Sequence, residues 1–153
     1  MESIDLGEDP LALDRQVCFA LSVASRNVIS IYRPLLAPLG LTHPQYLVML
    51  ALWEQSPRSV KELCAVLHAE AATLSTLLKR LESIGYVTRD RSPHDERLLQ
   101  VHLTETGREL RTEAEKIPYR VVDALGLSLD ELEEVNRVLA RVITASTTAL
   151  DQA

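Results

Sequence analysis

SVKELCAVLHAEAATLSTLLKRLESIGYVTRDRSPHDERLLQVHL, residues 59 to 103, carries the pattern that decides the fold. Ser59-Val-Lys-Glu62 is a capping box: a hydroxyl accepts from the first free amides of a helix and a carboxylate reaches back to the cap. Val60, Leu63, Cys64 and Leu67 follow at i, i+3, i+4 and i+7, and the pattern returns at Leu74, Leu77, Leu78 and Leu81 after a break at His68 to Glu70. Gly85 is placed to close the second helix in a left-handed cap. Tyr86 to Arg91 and Leu98 to Leu103 then alternate polar and apolar residues around Ser92-Pro-His-Asp-Glu-Arg97, a hairpin with a charged tip.

Two helices, a short turn and a two-stranded wing make a DNA-reading arrangement. The second helix leaves Thr73, Ser75, Thr76, Lys79 and Arg80 off its leucine face, where they can meet base edges and phosphates in a major groove. The wing brings Arg89, Arg91 and Arg97 toward the backbone or the minor groove, with Asp95 and Arg97 read as a surface ion pair that holds the arginine in place.

The overall charge of −6 at first argues against a DNA ligand. Divided by position, residues 58 to 103 hold seven Lys or Arg against six Asp or Glu. The flanks are acidic, with three against six before them and six against ten after them. Phosphate binding requires cations only at the contact surface, because affinity comes from counterions displaced there. Arg58, Lys61, Lys79, Arg80, Arg89, Arg91 and Arg97 supply such a surface.

The 153 residues, 46% of them hydrophobic, suit one domain spanning 1 to 153. No apolar run approaches the roughly 18 residues of a membrane span, and the acidic start, Met1 to Pro10, is unlike a signal peptide. A cytoplasmic protein with no membrane partner is expected, and its two cysteines, Cys18 and Cys64, are expected to be reduced. His68, His94 and His102 lack ligand spacing to Cys64, so no metal or other cofactor is expected.

Upstream of the reading segment, a helical pattern runs from Leu11 to about Leu36 through Val17, Leu21, Ala24, Val28, Ile31 and Leu35, with Pro34 predicting a bend or an end. Thr42 caps the next helix, with Pro44 in its first turn and Tyr46, Leu47, Leu50 and Trp53 along it. Downstream, Thr104 caps a helix that Pro118 interrupts. Ser128-Leu-Asp-Glu131 is another capping box, opening a long amphipathic helix through Leu132, Val135, Leu139, Val142 and Ile143. The fold class is mainly α with a small β-hairpin wing: residues 42 to 103 form a winged helix-turn-helix flanked by pairing helices at 11 to 36 and 105 to 150.

Leu77-Leu-Lys-Arg-Leu-Glu82, Gly85-Tyr-Val-Thr-Arg89, Asp95-Glu-Arg97 and Leu103-Thr-Glu-Thr-Gly107 resemble the winged-helix repressors of the multiple antibiotic resistance regulator (MarR) family. Gln16-Val-Cys-Phe19, Tyr32-Arg-Pro-Leu-Leu36 and Gly40-Leu-Thr-His-Pro-Gln-Tyr-Leu47 look like its branch that senses organic hydroperoxides through one cysteine. The resemblance implies a homodimeric repressor, not an enzyme, on a near-palindromic operator of double-stranded DNA. Its two reading helices would stand about 34 Å apart, one turn of the duplex. It further implies that Cys18 is the redox sensor, in a pocket with Phe19, Ser22, Tyr32, His43 and Tyr46, the tyrosines arriving from the partner subunit.

Along one straight helix Tyr32 lies about 21 Å from Cys18, so a chain cannot pair its own two groups. Donors near the sulfur favour the thiolate that attacks a peroxide. The product, a sulfenic acid, condenses with a thiol, and the added bulk at a packed interface moves the heads. The sequence departs from the branch in three places. Ser22 and His43 stand where tyrosines are usual, and Glu70-Ala-Ala72 opens the reading helix where the branch has an aspartate, a serine and a glycine, which are better caps.

Each of these residues has a plainer reading. Cys18 considered alone is an inert thiol, and Cys64, which shares a stripe with Val60, Leu63 and Leu67, is core packing. His43 is a first-turn helix residue, and Thr73, Ser75 and Thr76 are solvated helix positions. Two other functions stay open: a repressor released by a small aromatic or acidic ligand near Tyr32, His43, Tyr46 and Trp53, and a thiol peroxidase, for which the sequence shows no well-placed resolving cysteine.

Overall fold

The computed structural model describes residues 7–153, so residues 1–6 of the acidic start lie outside the described residues. The chain forms two compact units, one reaching to Ile117 and one from Pro118 to Ala153. In the first, α1 (Val17–Leu36) leads through a 3-10 turn (Ala37–Leu39) to α2 (His43–Glu54). Then come β1 (Arg58–Ser59), α3 (Val60–Leu67), α4 (Ala71–Ile84), β2 (Val87–Arg91), β3 (Leu99–Leu103) and α5 (Glu105–Ala114).

The helical pattern expected from Leu11 starts later, at Val17. Leu13–Arg15 form a 3-10 turn, and Gln16, with φ −83° and ψ 108°, breaks the path. Its side-chain amide donates to the carbonyls of Pro10 (2.9 Å) and Ala12 (3.1 Å), which holds that break. Pro34 sits two residues before the end of α1, so the helix ends close to the proline as expected. Thr42 and Gln45 form a reciprocal capping box on α2, with Pro44 in its first turn.

The helix-turn-helix forms as the residue pattern predicts. Ser59 and Glu62 exchange their bonds at 3.0 Å each, α3 ends at His68 in the left-handed region (φ 50°), and α4 ends at Gly85 (φ 94°). Leu63, Leu74, Leu78, Leu81, Val87 and Val101 are completely or almost completely buried, so α3, α4 and the sheet share one core with Met49 and Leu52 of α2.

The wing differs from expectation in one respect. It belongs to a three-stranded antiparallel sheet in the order β1-β3-β2, because Arg58 and Ser59 pair with Val101 and Gln100. Arg58 and Ser59, the second of them already the cap of α3, carry too little alternation to announce a strand. This extra pairing fastens the wing to the start of α3.

Thr104 joins the wing to α5: its hydroxyl donates to Gly85 O at 2.6 Å and accepts from Gly107 N at 3.0 Å, capping the helix. In the second unit, α6 (Ile117–Leu125) begins at the boundary and places Pro118 in its first turn, and α7 (Leu129–Asp151) opens on the Ser128–Glu131 capping box. No residue of α7 is buried, and its apolar positions Leu129, Val135, Val138, Val142, Ile143 and Leu150 are exposed. Among the described residues no single helix is long and apolar enough to cross a membrane.

Candidate nucleic-acid interface and thiol site

The reading helix, α4, buries Leu74, Leu78 and Leu81 and turns the opposite face outward. Thr73, Thr76, Lys79 and Arg80 are exposed on that face and Ser75 is half-buried, which is the arrangement the leucine spacing required. Thr76 Oγ1 donates back to Ala72 O at 3.3 Å. Glu70 is the cap residue but its side chain makes no capping bond, so the first turn of α4 keeps free amides.

The wing cations differ in how freely they can meet a ligand. Arg89 pairs through Nε with Glu82 of α4 and is mostly covered, so it tethers the first wing strand to the reading helix instead of standing free. Arg58 is similarly occupied, donating to Ala51 O at 3.0 Å and pairing with Glu54 at 3.2 Å. Arg91 donates to Glu96 O at 2.8 Å across the base of the loop.

The expected ion pair of Asp95 with Arg97 takes another form. Asp95 Oδ1 accepts from the backbone amide of Arg97 at 3.0 Å, a two-residue turn that leaves the guanidinium to other partners. A carboxylate two residues before an amide closes this turn more readily than it reaches a long arginine side chain. Between the central strand β3 and its neighbour β2, His102 Nε2 meets Asp90 Oδ1 at 2.8 Å, a pair that sequence reasoning passed over.

Cys18 lies in the first turn of α1, exposed, with Val17, Phe19, Leu21 and Ser22 also exposed around it. The other members of the expected pocket gather elsewhere, where the end of α1 meets the start of α2. Tyr32 and His43 have ring centroids 5.0 Å apart, Tyr32 and Tyr46 5.7 Å, and His43 and Tyr46 6.4 Å. Trp53 extends the cluster, 6.4 Å from Tyr46, and its indole N–H donates to Gly107 O at 2.8 Å. The structure therefore brings Tyr32, His43 and Tyr46 together and leaves Cys18, Phe19 and Ser22 at the far end of a 20-residue helix.

Burial raises the pKa of Tyr32 and of Tyr46, with the Tyr32 charge adding to the second, so both phenols hold their protons. Burial lowers the pKa of His43, which keeps its ring neutral at pH 7. The cluster thus offers O–H and N–H donors and no fixed positive charge. A cavity of 330 Å³ adjoins it, lined by Ile29, Arg33, Ala37, Leu41, Thr42, His43 and Pro44.

Cys64, read from its stripe as core packing, is half-buried: Leu63 is the buried residue of α3, and Cys64 lines a cleft beside Val60 and Ala71. Both cysteines are free. Among the described residues no group of three or more His, Cys, Asp or Glu is placed to hold a metal ion.

A model of the transcriptional regulators SarA/Rot matches residues 30–114. The organic hydroperoxide resistance transcriptional regulator of Bacillus subtilis is 39% identical over 136 residues, covering 89% of this chain and 90% of its own length. The regulator TtmR of Methylorubrum extorquens is 45% identical over 124 residues, covering 81% of this chain; the match spans only 64% of TtmR.

Among solved structures, reduced AbfR of Staphylococcus epidermidis bound to DNA superposes with a TM-score of 0.74 at 31% identity, over 90% of this chain and 96% of that one. The same regulator in overoxidised, DNA-bound form and in disulfide form matches with TM-scores of 0.72 and 0.63. With the reading helix, the wing and the capped core all in place, the chain belongs to the SarA/Rot family of transcriptional regulators, DNA-binding winged helices of the MarR type.

Proposed function

We propose that the chain is a homodimeric repressor that leaves a near-palindromic operator when an organic hydroperoxide oxidises Cys18. The observation that carries this reading is the separation within one chain of an exposed thiol and a cluster of donors. Cys18 lies in the first turn of α1, and Tyr32, His43 and Tyr46 meet where α1 ends. A second copy brings its cluster to the first copy's sulfur, and the exposed apolar residues of α1 and α7 supply surface for that pairing. The hydroperoxide regulator among the relatives and the redox forms of AbfR support the same chemistry.

In the reaction the Cys18 thiolate attacks one peroxide oxygen. An S–O bond forms, the O–O bond breaks and the alkoxide takes up the proton released by the thiol. The products are a sulfenic acid and an alcohol, the sulfur losing two electrons and the peroxide gaining them. Because His43 is neutral, the cluster favours the thiolate through hydrogen bonds rather than through an imidazolium charge.

Coupling to DNA runs through the turn after α1. Tyr86, at the root of the wing, donates from its hydroxyl to Leu39 O at 2.7 Å, so a shift of α1 is felt where α4 meets the sheet. The test is a mobility shift on the DNA upstream of the chain's own reading frame, before and after an alkyl hydroperoxide, with mass spectrometry of Cys18. Wild type leaves the duplex on oxidation and Cys18→Ser stays; equal release of the two proteins rules the switch out.

A second reading keeps the repressor and replaces oxidation by a small aromatic or acidic ligand. The 330 Å³ cavity favours it, since apolar walls there meet the guanidinium of Arg33 beside the aromatic cluster. Release of Cys18→Ser protein by such a ligand, with no response to peroxide, would select this reading.

A further inference from the structure

Where the end of α2, the last residue of β3 and the first turns of α5 meet lies a cavity of 290 Å³, lined by Leu52, Trp53, Ser56, Leu103, Arg108 and Arg111. We propose that it is a binding site for a small organic anion. The apolar body of the ligand lies against Leu52, Leu103 and the Trp53 ring, and its carboxylate or phosphate head lies between Arg108 and Arg111. The site shares no lining residue with the cavity beside Tyr32 and His43, and it depends neither on oxidation of Cys18 nor on a ligand in that other cavity.

Charge is the first observation. Arg108 and Arg111 stand three residues apart on α5, on one side of the helix, and both are exposed. Two guanidinium groups so placed repel each other, and an anion between them removes the repulsion. Arg108 has no ion-pair partner among the described residues. Arg111 has Glu115 at 3.2 Å, a pair exposed on both sides that a bound anion can displace at little cost. Among the described residues no carboxylate lines the cavity. Each guanidinium offers a planar fork of donors that fits carboxylate and phosphate alike.

The second observation is the character of the walls. Leu52 and Leu103 belong to the core of the head and show the cavity apolar surface. Trp53 spends its N–H on Gly107 O at 2.8 Å, so the indole meets the cavity with its ring rather than with a donor. Ser56 Oγ accepts from Leu103 N at 3.0 Å, which leaves the hydroxyl proton to donate to the anion. Apolar walls with a few convergent polar groups are the make-up of a ligand pocket, and a volume just under the usual range of about 300–1,000 Å³ restricts it to small ligands. A bare inorganic ion would leave those walls unused.

The third is rigidity. The bonds of Ser56 to β3 and of Trp53 to α5 tie three elements around the cavity, so its shape is set by the fold before a ligand arrives. Occupancy braces the last strand of the wing against the helix that follows it.

Trp53 is the only tryptophan of the chain, so its emission reports on the cavity. Reduced protein without DNA is titrated with cyclohexanecarboxylate, with cyclohexyl phosphate and with neutral cyclohexylmethanol, none of which absorbs where tryptophan is excited; calorimetry follows the same titrations. At least one of the two anions is expected to bind saturably, and at least about tenfold more tightly than the alcohol. The tighter of the two assigns the head group. Arg108→Ala, at an exposed position, is expected to weaken anion binding by about tenfold, the loss of one charge-assisted pair. Arg33→Ala, beside the other cavity, is expected to leave it unchanged.

Equal binding of the alcohol, no saturable signal or heat with either anion, or a loss of binding in Arg33→Ala without one in Arg108→Ala would overturn the site. All of these results are read without DNA or oxidant, so they leave the DNA-reading function and the Cys18 switch to their own test.

Discussion

The reading head and the long helices beside it carry the same kind of hydrophobic spacing and reach opposite ends. In α4 the leucines at 74, 78 and 81 are wholly buried within their own chain, whereas α7, with an equally regular stripe over 23 residues, buries nothing and α1 buries only Leu36. The head buries its central leucines among its own residues, and the starts of α2 and α3 are closed by capping boxes of the same segment. The flanking helices have their stripes, and α7 its capping box, but among the described residues most of those stripes stay uncovered. Periodicity in a sequence fixes which face is to be buried; it is silent on whether the burying surface lies in the same molecule.

The most direct way to break this comparison is to charge the uncovered face. Ile143→Asp removes about 1.5–3 kcal/mol of apolar burial per copy, twice over in a two-fold interface. Sedimentation should then show self-association weakened by at least about 100-fold, with helix content kept. An unchanged dimer would mean that a second chain does not cover α7. Leu78→Ala acts on the other side of the comparison. It opens a void in a fully buried site and should cost about 2–5 kcal/mol in urea unfolding, DNA binding falling with the folded fraction.

Legibility in the sequence divides along the same line. The capping boxes at Ser59 and Ser128, the cap at Thr104 and the left-handed Gly85 are local chemistry, complete within four or five residues, and they placed the ends of the helices to within a residue. The late start of the helix expected from Leu11 was hidden because Gln16 holds the break through side-chain bonds to carbonyls, which leave no mark on hydrophobic spacing. The strand at Arg58 and Ser59 was hidden because two residues have no period.

At the candidate site, the resemblance named Tyr32, His43 and Tyr46 together with Cys18, Phe19 and Ser22, and the fold groups only the first three within one chain. That Arg89 is spent on Glu82, or that Cys64 faces a cleft, depends on how α3, α4 and the wing pack, and no stretch of sequence states it. The cations of the head look equivalent in the chain and divide into free and engaged only in the fold.

Two smaller substitutions sharpen the picture inside the head. At Gly107 an added Cβ would lie 2.2 Å from the backbone oxygen of Tyr86, where α5 crosses the root of the wing. Gly107→Ala should therefore destabilise the head by about 1–3 kcal/mol through a forced backbone shift. The same shift should change tryptophan emission, since Trp53 bonds the Gly107 carbonyl. Unchanged melting and emission would show that the crossing yields freely. Glu70→Ser supplies the missing cap on α4 and should raise stability by about 0.5–1 kcal/mol, read from the urea midpoint. No gain would mean that another group already serves those amides.

The smallest effect expected concerns the seam between the two regions, where His43 opens α2 against Tyr32 of α1. Its ordinary pKa is 6.5 and burial lowers it in the folded protein, so below 6.5 the unfolded chain takes up a proton that the folded chain still refuses. The stability tied to a neutral His43 is complete above pH 6.5, declines as the pH falls from there toward the lower folded value, and changes no further once both states are protonated. His43→Tyr removes this titration while keeping an aromatic donor in the cluster. Melting temperatures of the two proteins should run parallel above pH 7 and diverge below 6.5, the wild type losing more. Curves parallel at every pH would mean that His43 is as accessible to protons folded as unfolded. The ring would then lie open rather than packed against Tyr32, and the seam would belong with the uncovered helices rather than with the closed head.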